Sequence, residues 1–236
     1  MLMIDSVVLV GAGGVAYHSI IPLGKLITTD RLYIVDHDRI DKVHARQWPG
    51  AMAGMAKSHA LGGLAGFAGV APDRGIFPVV QRVEGVTEVF QPARPTLFLM
   101  LTDNKASRRY VWDVLRAVPA KTNRWIFMSA GNGAAGGWSA WWPMNREKYR
   151  DVWLTMMGDI LGDEKGAPPE DKRGRAAPCG GEQTLLANVR TAELVCRSVA
   201  TLGEYWGGKR DESPTMFFWA AKDAQRIKTW TEGPVI

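Results

Sequence analysis

The first part of the chain alternates between short apolar runs and longer segments with helical periodicity. Residues 6–10 and 32–35 predict buried strands, because each is apolar and too short for a helix. Helices are predicted over 15–26 and 55–67, and a further strand over 77–83. A strand, a turn, a helix and a second strand in this order are typical of a parallel sheet.

The second part of the chain continues this pattern and then departs from it. Residues 96–101 and 125–130 predict strands, and 104–118 predicts a helix between them. Residues 136–142 alternate small or polar with aromatic side chains, which predicts an exposed or edge strand. The segment 158–181 is rich in Gly, Pro and charged residues, so we expect a mobile loop there.

The last part of the chain predicts a long helix over 182–202 and a closing β-hairpin over 216–230. The predicted apolar face of this helix comprises Leu185, Val189, Ala192, Cys196 and Val199. The expected fold is α/β and Rossmann-like, with a mostly parallel sheet flanked by helices and a C-terminal helix and β-hairpin extension. We expect one domain over 1–236, with a nucleotide-binding core over 1–135 and a C-terminal part over 136–236.

Composition excludes several classes of protein. No apolar run approaches the ~20 residues that span a bilayer, and no signal peptide precedes the first strand, so we expect a cytoplasmic protein without a membrane partner. Cys179 and Cys196 are too few for a disulfide framework or a four-cysteine zinc site. A net charge of +5 suits an anionic ligand, but the basic residues do not cluster on one helix, which argues against a nucleic-acid partner.

A glycine motif follows the first predicted strand. Gly11, Gly13 and Ala16 fit the pattern G-x-G-x-x-G/A, and Gly14 lies within it. The glycines permit a tight turn and close approach to a phosphate, and the helix behind them offers free N–H groups. Asp36 comes 20 residues after Ala16, at the end of the second strand, where a carboxylate can bind ribose hydroxyls.

Two cationic positions follow the predicted ribose site. Arg46 precedes Gln47, and Lys57 lies eleven residues beyond Arg46. A redox dinucleotide does not require these cations, whereas a triphosphate and its departing pyrophosphate would be stabilised by them. Taken alone, Arg46 and Lys57 are more typical of ordinary surface charges than of a phosphate site.

A third candidate group follows the strand over 96–101. Asp103 ends this apolar run, where open α/β sheets bind their ligands, and its carboxylate is a natural Mg²⁺ ligand beside phosphates. Asn104 follows it, and Arg108 lies one helical turn further on. The competing interpretation is that Asp103 and Asn104 only cap the helix.

These segments together resemble the ThiF/MoeB superfamily, the adenylating fold shared with ubiquitin-activating enzymes. The family pattern is a glycine loop, Asp-x-Asp, Asn-Leu-x-Arg-Gln, Gly-x-x-Lys, and Asp-Asn with an arginine one turn later. The matching residues of this chain, over about its first 130 residues, are Asp36 with Asp38, Arg46 with Gln47, Gly54 with Lys57, and Asp103 with Asn104 and Arg108.

The resemblance implies ATP and Mg²⁺ as cofactors. Asp36 would hold the ribose, Arg46 and Lys57 the phosphates, and Asp103 the Mg²⁺ ion. The implied reaction is adenylation of the C-terminal carboxylate of a small ubiquitin-like β-grasp protein or peptide, with release of pyrophosphate. Relatives of this kind also suggest a homodimer.

The C-terminal part looks more like the compact PRTRC-type ThiF proteins. It shares with them Gly131-Asn132 after a strand, Pro178-Cys179 after a charged loop, and a helix with Gln183 and Asn188. Cys179 precedes a predicted helix, whose N-terminus lowers a thiol pKa, so it could receive the activated carboxyl. An ordinary free thiol is the equally weighted alternative, whereas Cys196 is expected in the core.

The chain also departs from the family pattern. The segment before Arg46 is one residue short of the expected asparagine, and His44 lies nearest that place. Paired Cys-x-x-Cys motifs are absent, so no structural zinc is expected. The chain begins on its first predicted strand, without the helical segment that often precedes it in the family. Two alternatives therefore stand beside adenylation: a non-catalytic ThiF-like protein that binds a nucleotide or partner, and an NAD(P)-dependent oxidoreductase.

Overall fold

The structure is a computed structural model that describes residues 1–42, 48, 50–70, 72–91, 93–103, 105–133, 136–146, 185–209, 215–220 and 228–231. Its strands are β1 (Leu2–Val10), β2 (Ile27–Val35), β3 (Gly75–Val79), β4 (Thr96–Met100), β5 (Trp125–Gly133), β6 (Gly136–Pro143), β7 (Thr215–Ala220) and β8 (Lys228–Thr231). Its α-helices are α1 (Gly14–Leu26), α2 (Lys57–Phe67), α3 (Lys105–Ala117) and α4 (Leu185–Trp206). Two short 3₁₀ helices, Val83–Gly85 and Ala120–Thr122, flank β4 and α3.

The strands of the described segments form one sheet in the order β3-β2-β1-β4-β5-β6-β7-β8. The first five pair in parallel, and β6, β7 and β8 extend the sheet with antiparallel pairs. The order reverses between β1 and β4, because the chain builds β2 and β3 on one side of β1 and then crosses to the other. This arrangement confirms the expected α/β, Rossmann-like fold with a C-terminal helix and hairpin.

Alternating side chains of the strands divide the core into two layers. On β4, Leu99 faces the layer that contains α1, α2 and α4, whereas Phe98 and Met100 face the layer that contains α3. The same alternation continues in the antiparallel part, where Trp141 and Trp142 of β6 face opposite layers. Both faces of the central strands are therefore covered, which explains why Val7–Val10 of β1 and Leu97–Met100 of β4 are continuously apolar.

The prediction of an exposed or edge strand over 136–142 is wrong. β6 is an interior strand that pairs with β5 on one side and with β7 on the other, and Trp141 and Trp142 are buried. Aromatic and small residues in alternation are compatible with either position, and the long-range partner β7 decides between them. β1 is also longer than predicted, because it begins at Leu2 rather than near residue 6.

Helix α4 presents a different face to the sheet from the one predicted. Leu185 and Val189 are 68% and 43% exposed, so they do not belong to the buried face. The buried face follows the helical repeat but includes small polar residues: Ala187, Thr191, Ala192, Leu194, Val195, Ser198, Val199 and Leu202. None of the described helices, α4 included, combines the length and the apolar character that crossing a membrane requires.

A buried hydrogen bond fixes α4 against the sheet and yields the first prediction. The hydroxyl of Ser198 donates to the hydroxyl of Ser139 on β6 over 2.9 Å, and both residues are fully buried. Ser198→Ala leaves the Ser139 hydroxyl without this partner, so we expect the free energy of unfolding to fall by about 1–3 kcal/mol. Denaturant unfolding of Ser198→Ala, Ser139→Ala and the double variant measures this effect.

The double variant is the control for that prediction. Removal of both hydroxyls leaves no unpaired polar group, so its loss of stability should be clearly smaller than the sum of the two single losses. Additive losses would show that the two hydroxyls do not depend on each other.

Candidate functional site

The five parallel strands have residues in register with one another near the carboxyl edge of the sheet. The register aligns Val10, Val35, Val79, Met100 and Ser129 across β1, β2, β3, β4 and β5. Gly11 and Asp36 directly follow their strands, and Asp103 follows β4 after two residues. The predicted residues therefore meet beside the point where the strand order reverses, which is where open α/β sheets bind ligands.

The glycine turn at this edge has a conformation and an environment that require glycine. Gly11 leaves β1 with φ 93°, in the left-handed region. A Cβ atom on Gly11 would come within 2.6 Å of the Thr102 backbone nitrogen, in the segment that follows β4. The Gly11 amide also donates to the carbonyl of Val35 over 3.0 Å, so the turn is fixed against two neighbouring strands.

Helix α1 begins immediately after this turn. Gly13 is its N-cap residue, and the Gly13 carbonyl accepts the N–H of Tyr17 over 2.9 Å. The first N–H groups of a helix have no partner within the helix and lie at the positive end of its dipole. The turn and the first residues of α1 thus form a surface suited to an anion.

The Asp36 carboxylate connects the glycine turn to the segment after β2. One oxygen accepts the N–H of Ala12 over 2.6 Å, and the other accepts the N–H of Asp38 over 2.7 Å. Burial raises the pKa of Asp36, while these two N–H groups and the charge of Lys57 oppose the rise. A carboxylate has about four acceptor sites, so Asp36 keeps capacity for ribose hydroxyls.

Lys57 is brought to the same edge by pairing between the segment after β2 and the start of α2. A bridge joins Arg39 to Ala56, and the Lys57 amide donates to the Asp38 carbonyl over 3.0 Å. The Lys57 Nζ lies 2.9 Å from Oδ2 of Asp38. The Lys57 side chain is 13% exposed and that of Asp38 is 51% exposed, so the lysine side chain is the more buried of the two.

Arg108 on α3 is buried and joins the ends of two strands. Its guanidinium donates to the carbonyl of Thr102 after β4 and, over 2.8 Å, to the carbonyl of Ala130 on β5. It also lies 5.5 Å from the ring centroid of Trp138. Burial lowers the pKa of Arg108 to about 10, and Asp103, which is exposed, opposes this shift. Arg108 thus positions the segment that carries Asp103, and direct contact with a nucleotide remains a prediction.

Four predicted site residues lie outside the described part of the chain, namely Arg46, Gln47, Asn104 and Cys179. The residue that follows the first two, Trp48, is 4% exposed and stacks on Tyr17 of α1, with ring centroids 4.8 Å apart. Cys196 on α4 is described. It is half-buried and packs against the core, and burial raises the pKa of its thiol to about 11.

Sequence analysis gave no site function to a pair of asparagines beside the glycine turn. Asn188 of α4 lies against Gly14, and its side-chain oxygen accepts an N–H from Asn132 of β5 over 2.8 Å. Both asparagines appeared only as elements of a family pattern. The residue type itself could have indicated these positions from the sequence, because asparagine is unusual both inside a strand and inside a helix.

Comparison with known proteins identifies the fold of the chain. It does not identify a family. No protein-family model matches the chain, and no curated protein matches it. Among solved structures, the crystal structure of E. coli MccB with AMPCPP and selenomethionine MccA matches with a TM-score of 0.57 and 13% identity, over 98% of this chain and 65% of that one. The crystal structure of selenomethionine PaaA matches with a TM-score of 0.61 and 12% identity, over 96% of this chain and 72% of that one.

A third similar structure, E. coli MccB with ATP, has a TM-score of 0.57 and 13% identity, over 98% of this chain and 64% of that one. The chain thus spans slightly less than two thirds of the length of the MccB chains that it matches. At these identities the likeness establishes the fold, which is the fold that the ThiF/MoeB resemblance implied.

Two glycines of the turn provide a matched pair of variants. Gly11→Ala places a Cβ against the Thr102 backbone and forces alanine into a left-handed conformation, so we expect a loss of more than about 2 kcal/mol in unfolding free energy. Gly13→Ala meets no atom within 4 Å and has φ −92°, so its loss should stay below about 1 kcal/mol, as for an N-cap change. Chemical denaturation compares the two, and equal losses would contradict this geometry.

Proposed function

We propose that this protein binds ATP at the carboxyl edge of its sheet and adenylates the C-terminal carboxylate of a peptide or small ubiquitin-like β-grasp protein. The glycine turn, Asp36 and Asp38 would hold the nucleotide, together with Gln47, Asn104 and Arg108. Arg46 and Lys57 would hold its phosphates, and Asp103 would bind Mg²⁺. The compact PRTRC-type ThiF proteins remain our proposed nearest relatives.

The observation that carries this proposal is the position of Lys57 beside Asp36. A site for a dinucleotide needs a glycine turn and a carboxylate for ribose, and both are present here. It does not need an ammonium group 2.9 Å from the neighbouring carboxylate of Asp38 and largely withdrawn from solvent. A triphosphate does need such a cation, because its negative charge grows on the leaving pyrophosphate during transfer.

The chemistry requires no general base. An oxygen of the acyl carboxylate, which is already ionised, attacks the α-phosphorus of ATP. The bond between this phosphorus and the oxygen that bridges to the β-phosphate then breaks, and pyrophosphate leaves with the electron pair. The protein contributes alignment of the two reactants and neutralisation of charge, from the first N–H groups of α1 and from Lys57 and Arg46.

The residues that the structure describes suit a Mg²⁺ ion at Asp103. Its carboxylate is exposed at the carboxyl edge of the sheet, and an oxygen donor is the kind that Mg²⁺ prefers. The ion would neutralise phosphate charge when bound. Asp36 and Asp38 suit this task less well, because the first accepts two backbone N–H groups and the second pairs with Lys57.

The fold neighbours support ATP and an acyl partner as ligands. E. coli MccB has been crystallised with ATP and, in another crystal, with AMPCPP and MccA. The same fold therefore accommodates ATP in that protein. By the family resemblance we also propose that this chain acts as a homodimer, which light scattering in solution can test.

Nucleotide binding gives the first test of this function. We expect ATP with Mg²⁺ to bind in isothermal titration calorimetry and NAD not to compete. Lys57→Ala should weaken ATP about 10-fold or more, because a charged hydrogen-bond donor to phosphate is lost, and should leave adenosine binding unchanged. With a partner protein ending in Gly-Gly from a neighbouring gene, Lys57→Ala and Asp103→Ala should each reduce ATP–pyrophosphate exchange by about 100-fold.

Matched controls come from exposed charged residues that are not part of the proposed site. Lys121→Ala changes an exposed lysine, and Asp113→Asn changes an exposed carboxylate that pairs with Arg109, so neither should alter binding or exchange. Displacement of ATP by NAD would favour the oxidoreductase alternative. ATP binding without partner-dependent exchange would favour the non-catalytic alternative, and exchange that survives both site variants would refute the assigned functions of Lys57 and Asp103.

The proposed acceptor thiol needs a separate experiment. Cys179→Ser should still form the acyl-adenylate but should no longer give a conjugate that dithiothreitol releases, because the nucleophilic sulfur is absent. Cys196→Ser is the matched control, since that thiol is half-buried on α4 and its pKa is raised to about 11. Non-reducing electrophoresis with the partner protein distinguishes the variants, and an unchanged conjugate in Cys179→Ser would end the acceptor hypothesis.

A further inference from the structure

The side chain of Asn188 occupies the space where Gly14 would carry its Cβ. A Cβ built on Gly14 overlaps the amide nitrogen of Asn188 and lies 2.7 Å from its Cγ. Gly14 has no such atom, so the amide of α4 reaches the first turn of α1. Three sequence-distant elements, α1, α4 and β5, thus meet at the glycine turn.

A hydrogen bond from Asn132 determines which end of the Asn188 amide faces the turn. The side-chain nitrogen of Asn132 donates to Oδ1 of Asn188 over 2.8 Å. The oxygen is therefore engaged with β5, and the nitrogen is the end that lies against Gly14. No hydrogen bond from this nitrogen to another residue is found in the described part of the chain.

The backbone that carries Asn188 is held firmly. Its neighbours on the buried face of α4, Ala187 and Thr191, are 5% and 0% exposed, and α4 packs along α1. The bond between Ser198 and Ser139 fixes the same helix further along. Asn188 is therefore held at the turn by its helix before any ligand arrives, which limits the entropy lost on binding.

The chemistry of this arrangement selects an anionic oxygen. An amide nitrogen only donates hydrogen bonds, and the adjacent first turn of α1 also presents only donors and a partial positive charge. The Asn188 amide nitrogen lies beside the first turn of α1, and a donor at this place suits the oxygen of a phosphate, which glycine turns at helix N-termini commonly bind.

We propose that Asn188 donates a hydrogen bond to a phosphate oxygen of the nucleotide and that Asn132 positions the Asn188 amide for this contact. This inference rests on the proposed ATP site and adds a binding residue to it from the C-terminal part of the chain. Asn188 would couple α4 to the occupancy of the site.

The test compares ATP and adenosine, which differ only in the triphosphate. Calorimetry with Mg²⁺ should show that Asn188→Ala raises the Kd for ATP about 10-fold, as for loss of a hydrogen bond to a charged group, and leaves adenosine binding unchanged. Asn188→Asp should bind ATP more weakly still, because a carboxylate at this place repels phosphate. Val189→Ala, at the exposed next residue of the helix, is the control and should bind as the wild type does.

The function of Asn132 is tested by a double-variant cycle. Asn132→Ala should weaken ATP binding less than Asn188→Ala does. In the Asn188→Ala background it should have no further effect, because Asn132 acts through Asn188. If Asn132 had only a structural function, Asn132→Ala would weaken ATP binding further in the Asn188→Ala background. It would also lower the thermal unfolding midpoint by a similar amount in both backgrounds.

The outcomes separate this inference from the function on which it rests. Wild-type protein that fails to bind ATP would refute the proposed function and this inference together. Wild-type protein that binds ATP while Asn188→Ala binds it equally well would refute only the contribution of Asn188. An equal loss of ATP and adenosine binding in Asn188→Ala would also overturn it, since the residue would then act on the shape of the site.

Discussion

The close crossing of two backbone segments at Gly11 determines the geometry of the whole site. The turn after β1 and the segment after β4 are too close for any side chain between them, and this contact sets the distance between the glycine turn and Asp103. Backbone amides of the same turn reach Val35 and the Asp36 carboxylate. Because these constraints are mostly between main-chain atoms, they can persist while side chains change. The fold of this chain is similar to that of MccB although only 13% of the residues are identical.

The parts of the site that sequence predicted are those that local rules determine. A strand followed by G-x-G and a helix specifies its own turn, and a carboxylate at the end of the next strand follows from sheet geometry. Lys57 was predicted from its spacing after Arg46 and from its match to the Gly-x-x-Lys motif of the family. Its actual position depends on the pairing of Arg39 with Ala56, a contact between distant segments that no periodicity encodes. The misassigned edge strand has the same cause, because the position of β6 depends on β7.

Helix α4 shows why its buried face and the position of Asn188 could not be predicted from the sequence. An apolar pattern identifies a buried face only when burial and hydrophobicity coincide, and here Thr191 and Ser198 are buried while Leu185 is exposed. A small hydroxyl can be buried at low cost if another element offers it a partner, as Ser139 does. The partner belongs to a strand about sixty residues away, so the sequence of the helix alone contains no sign of it. The position of Asn188 could not be predicted for the same reason, because Asn132 and Gly14, which it contacts, are distant from it in the sequence.

Charged groups of both signs lie at the sheet edge, so the position of each charge decides where an anion would bind. The Arg108 guanidinium is bonded to two carbonyl groups and remains charged, since its pKa of about 10 lies well above neutrality. Its charge is therefore opposed only partly, by the exposed Asp103, and burial weakens screening by solvent. The N-terminus of α1 adds positive potential, whereas the Lys57 ammonium is paired with the Asp38 carboxylate over 2.9 Å. The carboxylate of Asp36, which we propose binds ribose, adds negative charge at this edge. In the proposed site, the phosphates would approach the N-terminus of α1 and Lys57, and a Mg²⁺ ion at Asp103 would offset the negative charge of that carboxylate.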